Sequence, residues 1–168
     1  MDLKQYIRVV NNFPRDGISF KDITPLLASP EAFQYVVDSL ATSIWTVDKI
    51  VGLDSRWFIF WSAVSYKLWI PFVPIRKIGK LPYDTIKVDY HLEYGIDSLE
   101  IHTDAINDWE EVAIIDDLLA TWWTAKASIE LVEQLWWIVD SVNFVIELTF
   151  LHGKEKLDGY KINKLLEY

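Results

Sequence analysis

Two periods of apolar residues alternate along this chain. Short runs rich in Val, Ile and Leu, of strand length, fall at 49–53, 71–76, 112–115 and 138–149. Between them lie stretches of helical period. Phe33, Val36, Val37, Leu40, Ala41 and Ile44 share one face, and Ser29–Pro30 ahead of them reads as N-cap and first helical residue. Residues 58–68 form a second helix, and Ala125, Ile129, Val132 and Leu135 line one stripe of a third. Residues 83–101 alternate loosely, as a β-ribbon or flap does. Residues 2–10 are expected to form a short helix, and 12–25 a turn-rich segment punctuated by Pro14 and Gly17. Strands alternating with helices predict an α/β fold. Its central sheet is mostly parallel and covered on both faces, with a site at the carboxyl ends of the strands. No linker or repeat interrupts 1–168, which is read as a single domain.

The chain is organised around residues 112–124, V-A-I-I-D-D-L-L-A-T-W-W-T. An apolar strand delivers Asp116 and Asp117, then a small-residue turn, then the start of the third helix. Exposed N–H groups at a helix start receive phosphate, while carboxylates accept hydrogen bonds from sugar hydroxyls. The order suits a sugar phosphate.

Composition narrows the function. The 168 residues carry a net charge of −9, which argues against nucleic acid and anionic membranes as partners. An anionic substrate therefore needs a local basic cluster, and Arg76, Lys77 and Lys80 supply one within five residues. With no cysteine there is no disulfide, thiolate nucleophile or thiolate metal site. His91, His102 and His152 lack metal-ligand spacing and read as structural or surface residues. The longest uncharged apolar stretch, 57–66, is about half a bilayer span, and the first residues lack the regions of a signal peptide. A cytoplasmic protein is expected.

Residues 112–124 resemble the phosphoribosyl-pyrophosphate (PRPP) motif of the type I phosphoribosyltransferases. D-D-L-L-A-T is similar to the form found in their adenine-specific branch, where G-G-T follows. N-F-P-R-D-G-I-S-F-K-D-I-T-P at 12–25 resembles that branch's F-P-x-x-G-x-x-F-R/K-D-I-T-P signature. G-L-D-S-R-W-F at 52–58 resembles its pyrophosphate loop, and L-E-Y-G at 92–95 its mobile flap. The resemblance covers essentially the whole chain.

It implies the type I fold, with a β-ribbon flap and a small N-terminal hood, and conversion of adenine and PRPP into AMP and pyrophosphate. By the same resemblance, Asp116 and Asp117 hold the ribose hydroxyls. The loop of Ala120, Thr121, Trp122, Trp123 and Thr124 cradles the 5′-phosphate. Ser55, Arg56, Arg76, Lys77 and Lys80 hold pyrophosphate, Ser19, Phe20 and Lys21 meet adenine, and Glu93 and Arg56 are the catalytic pair. Mg²⁺ is expected on substrate oxygens, with no direct protein ligand, and the implied assembly is a homodimer. A different purine base, a PRPP-sensing regulator and an inactive scaffold are the alternatives.

One departure runs through all of these motifs. The chain has nine Trp and only six Gly, and average usage would give roughly twice as many glycines. Trp57, Trp61, Trp69, Trp109, Trp122, Trp123, Trp136 and Trp137 fall where the resembled enzymes carry glycine, and Trp45 would also suit a turn glycine. A frame that uses UGA for glycine, translated with UGA as tryptophan, produces this pattern. Engineered replacement and an inactive homologue are the competing accounts.

Overall fold

A computed structural model describes residues 1–44, 46–54, 58–92, 95–105, 107 and 109–168. Five strands run parallel: β3 (Lys49–Leu53), β4 (Phe72–Lys77), β7 (Glu111–Leu119), β8 (Ile138–Glu147) and β9 (Ile162–Glu167). A hairpin of β5 (Thr85–Leu92) and β6 (Gly95–His102) joins them, with β6 antiparallel to β4. The seven-stranded order is β5-β6-β4-β3-β7-β8-β9.

The alternation of side chains along β7 divides the core in two. Ala113 and Ile115 pack with α2 (Pro30–Ser43) and α3 (Phe58–Leu68), whereas Val112 and Ile114 pack with α4 (Trp123–Gln134). The expected helices therefore cover both faces. At the start of α2 the Ser29 hydroxyl accepts the Ala32 N–H at 3.2 Å, with Pro30 in the first turn. Beneath the site, buried Asn143 donates to the Ile114 carbonyl and accepts from Ser43 and Asn163, tying α2, β7, β8 and β9 together. Among the described residues no helix is long and apolar enough to cross a membrane.

The N-terminal expectation needs correction. Residues 2–10 do not form one helix. A single 3₁₀ turn, Leu3–Tyr6, is capped by the Asp2 carboxylate, and the chain then extends as β1 (Arg8–Asn11). β1 pairs antiparallel with β2 (Ser19–Asp22), which occupies part of the segment expected to be turns, and Arg8 meets Asp22 at 3.4 Å. The ladder and the ion pair favour an extended backbone around Val9 and Val10. A short helix, α1 (Thr24–Leu27), then leads into α2.

Both α3 and α4 end in left-handed turns. Trp69 follows α3 at φ +59°, while the Ile70 N–H reaches back to the Ser65 carbonyl. Trp136 follows α4 at φ +63°; the Trp136 N–H bonds the Glu133 carbonyl and the Trp137 N–H the Val132 carbonyl. These are Schellman closures, and their left-handed position ordinarily belongs to glycine. Trp69 is 87% exposed, so its indole gains little from packing. Trp69→Gly is expected to raise stability by about 1 kcal/mol, relief of left-handed strain outweighing the added freedom of the unfolded chain. Chemical denaturation measures it.

Candidate active site

The strand order reverses between β3 and β7. From β3 the chain crosses through α3 to β4 on one side, and from β7 through α4 to β8 on the other. The crevice beyond the carboxyl ends at such a reversal is the usual ligand site of an open α/β sheet. Two groups of residues singled out in the sequence lie at these strand ends, and a third lies at β2.

The first is the end of β7. Asp116 and Asp117 lie within the strand and are both buried. Burial pushes the Asp116 carboxyl up to about 6, against the opposing pull of the Asp117 side chain and of the Asp117 N–H, which donates to Asp116 Oδ1 at 2.9 Å. Because the folded value lies above the unfolded one, the protonated form favours the fold. That contribution is complete below about pH 4 and is lost as pH rises through about 6. Asp116→Asn should remove this part of the pH–stability curve, as denaturation between pH 4 and 7 would show.

Past the acids, Ala120 and Thr121 lead to Trp122, the N-cap of α4, at φ +65° and ψ −21° with no side-chain capping bond. The Trp123 N–H turns back to the Thr121 carbonyl at 2.9 Å. The first helical bond runs from the Lys126 N–H to the Trp122 carbonyl, also at 2.9 Å. Among the described residues no carbonyl takes the N–H of Trp122, Thr124 or Ala125, so these donors remain for an anion. The indoles of Trp122 and Trp123 stack 3.7 Å apart on the same loop.

Two residues that the sequence reading passed over shape this loop. Tyr90 of β5 is buried beside it; its hydroxyl donates to Asp97 at 3.2 Å and also meets the Thr124 side chain. Burial and the nearby acids push that phenol up to about 12. Gly153 packs against the loop from below, where an added Cβ would lie 2.6 Å from the Ala120 carbonyl oxygen. Gly153→Ala should therefore shift the loop and weaken its affinity for a sugar phosphate about tenfold, as a binding titration would show.

The second group lies at the ends of β3 and β4. Arg76 Nε donates to Asp54 at 3.1 Å, and its guanidinium lies 5.5 Å from the centre of the Phe58 ring. Lys77 pairs with Asp97 at 2.8 Å, whereas Lys80 is exposed with no ion-pair partner among the described residues. The basic cluster is thus partly neutralised by acids distant in sequence. Glu100 holds its turn: one carboxylate oxygen accepts the N–H groups of Lys80 and Leu81, each at 2.9 Å. Burial raises the Glu100 carboxyl, but these amides, with Gly79 and Thr85, outweigh it and hold it below its ordinary value. Ser55, Arg56 and Glu93, together with Trp45 and Trp57, lie outside the described residues.

The third group lies at β2. Phe20, Lys21, Asp22, Thr24, Leu27 and Ile59 line a cavity of about 310 Å³, within the range of small-molecule pockets. Ser19 and Lys21 meet each other, Lys21 Nζ donating to the Ser19 hydroxyl at 2.8 Å while lying 4.7 Å from the centre of the Tyr168 ring. Among the described residues no group of three or more His, Cys, Asp or Glu could hold a metal ion.

No protein-family model matches the chain. An adenine phosphoribosyltransferase of Clostridium botulinum (strain Loch Maree / Type A3) is 52% identical over 170 residues, spanning 100% of this chain and 99% of that one. The chain belongs to the adenine phosphoribosyltransferase family. The family's enzyme from Methanococcus maripaludis is likewise 52% identical over 170 residues, covering 100% of this chain and 99% of its own. Among solved structures, adenine phosphoribosyltransferase from Thermoanaerobacter pseudethanolicus superposes with a TM-score of 0.96 at 48% identity, over 99% of this chain and 98% of that one. The Saccharomyces cerevisiae enzyme, complexed with an imino-altritol bisphosphate and adenine, gives 0.92 at 40% identity, over 98% and 96%. The seven-stranded sheet is the type I phosphoribosyltransferase fold, and the family's reaction is a pentosyl transfer.

Proposed function

We propose that this chain transfers the 5-phosphoribosyl group of PRPP to adenine, releasing AMP and pyrophosphate in purine salvage. The observation that carries the reading is the pair of buried acids near the end of β7, upstream of an open helix start, in a chain 52% identical to adenine phosphoribosyltransferases.

In this mechanism Asp116 and Asp117 accept hydrogen bonds from the ribose hydroxyls, and the loop 120–124 receives the 5′-phosphate on the open amides of Trp122, Thr124 and Ala125. As the bond from C1′ to pyrophosphate loosens, positive charge grows on the ring and negative charge on the leaving group. Cations set in advance around the leaving group stabilise that separation. Ser55, Arg56, Arg76, Lys77 and Lys80 take this role, Arg56 with a fork of donors that keeps its charge. Adenine enters the cavity at Phe20 and Lys21, beside Ser19. Glu93 manages the proton at the base nitrogens when the flap shuts out water.

Mg²⁺ would be carried by the pyrophosphate and ribose oxygens of the substrate, hard donors that suit it. When bound it neutralises charge on the pyrophosphate. The reading includes a homodimer, as the resemblance to the family implies. It places the enzyme in the cytoplasm, since a polyanionic donor such as PRPP crosses no bilayer unaided.

Protein isolated from its own cells, supplied with PRPP, Mg²⁺ and one purine at a time, should form AMP from adenine. Preference for hypoxanthine or xanthine would overturn the choice of base, and no nucleotide from any purine would overturn the reaction.

A further inference from the structure

We infer that the working protein carries glycine at all nine tryptophan positions, its cell reading UGA as glycine. The inference goes beyond the reaction above and stands on backbone geometry. Among the described residues six non-glycine residues have positive φ, and four of them are Trp69, Trp109, Trp122 and Trp136, at +59° to +70°. Bulky side chains are disfavoured there; glycine is not, and asparagine is the usual substitute. Asn12 and His152 are the other two.

The four strained residues occupy positions with glycine duties. Trp69 and Trp136 close helices in Schellman turns, and Trp122 caps α4 where an anion would meet main chain. Trp109 turns into β7, its N–H on the Trp136 carbonyl at 3.0 Å. Trp69, Trp109 and Trp136 are 67% to 87% exposed, so burial does not explain them.

Two buried tryptophans fail in the opposite way. Trp61 of α3 is wholly buried and Trp137 nearly so, yet among the described residues neither indole N–H has a partner. The ring of Trp61 lies where a Cβ on Gly52 would stand, so helix and strand meet at bare backbone on the strand side. A buried indole normally finds an acceptor for its N–H. Glycine at 61 would leave no orphaned donor there.

A single codon-level cause accounts for left-handed turns, close approaches and the phosphate loop together, and it extends to Trp45 and Trp57 outside the described residues. Substitution by drift or by function would not draw one rare, bulky residue type to each of these places. Restoring nine glycines to the present six gives a complement near ordinary usage.

Mass spectrometry of the protein purified from its own cells tests the inference without reference to catalysis. The tryptic peptide from Val88 to Lys126 should contain glycine at 109, 122 and 123, and the next peptide glycine at 136 and 137. Tryptophan at any of these positions overturns the inference. The gene gives a second readout: UGA is expected at the nine codons, and UGG at them would overturn it. An inactive protein with glycine at these sites would instead refute the proposed reaction and leave this inference intact.

Discussion

Asp116→Asn combined with Asp117→Asn is expected to lower kcat/KM for PRPP by about a thousandfold, measured with glycine at 122 and 123 in both forms. A hydrogen bond from a hydroxyl to a charged acceptor is worth about 1.5–3 kcal/mol, and two of them approach three powers of ten. The loss should not come from unfolding. Asparagine keeps the shape of each side chain, and at Asp116 it removes a buried group whose ionised form burial already penalises. The KM for adenine should stay within about threefold, because the β2 cavity does not include these residues. Initial rates with each substrate varied, together with a melting curve, separate the two effects.

The second large effect runs the other way. Trp122→Gly with Trp123→Gly, introduced into the chain as written, should raise kcat/KM for PRPP at least about a hundredfold. The loop offers the N–H groups of Trp122, Thr124 and Ala125, but it also carries two stacked indoles and a left-handed tryptophan. A phosphate bound to main chain needs backbone that it can approach closely, which glycine permits. Most of the gain should appear in affinity for PRPP and little in affinity for adenine. Equal rates in the two forms would refute the assignment of the phosphate to this loop.

The sheet was legible in the chain because its strands are buried on both faces and read as unbroken apolar runs. Ile50 and Val51, Val112 to Ile115, and Phe144 to Ile146 are such runs. The helices were legible because α2 and α4 keep one apolar stripe and α2 carries a Ser-Pro cap. The N-terminal ribbon was not, because its four-residue strands are too short to show a period and acquire their form from each other. The partners of the basic cluster were also hidden. Asp54 and Asp97 lie 22 and 20 residues from the cations they meet, and only the fold brings them together. Glu100, Tyr90 and Gly153 act on the loops through contacts of the same kind. The tryptophans were conspicuous by count alone, and their backbone angles supply the physical reason that the count is wrong for the fold.

The central claim is that ribose phosphate rests on the main chain between β7 and α4, with its hydroxyls on the two buried acids. A crystal structure of the glycine-restored protein with AMP tests it most directly. The account predicts the 5′-phosphate against the amides of residues 122, 124 and 125 and both ribose hydroxyls within hydrogen-bond reach of Asp116 and Asp117. Phosphate bound elsewhere, with the two carboxyl groups untouched, would contradict it.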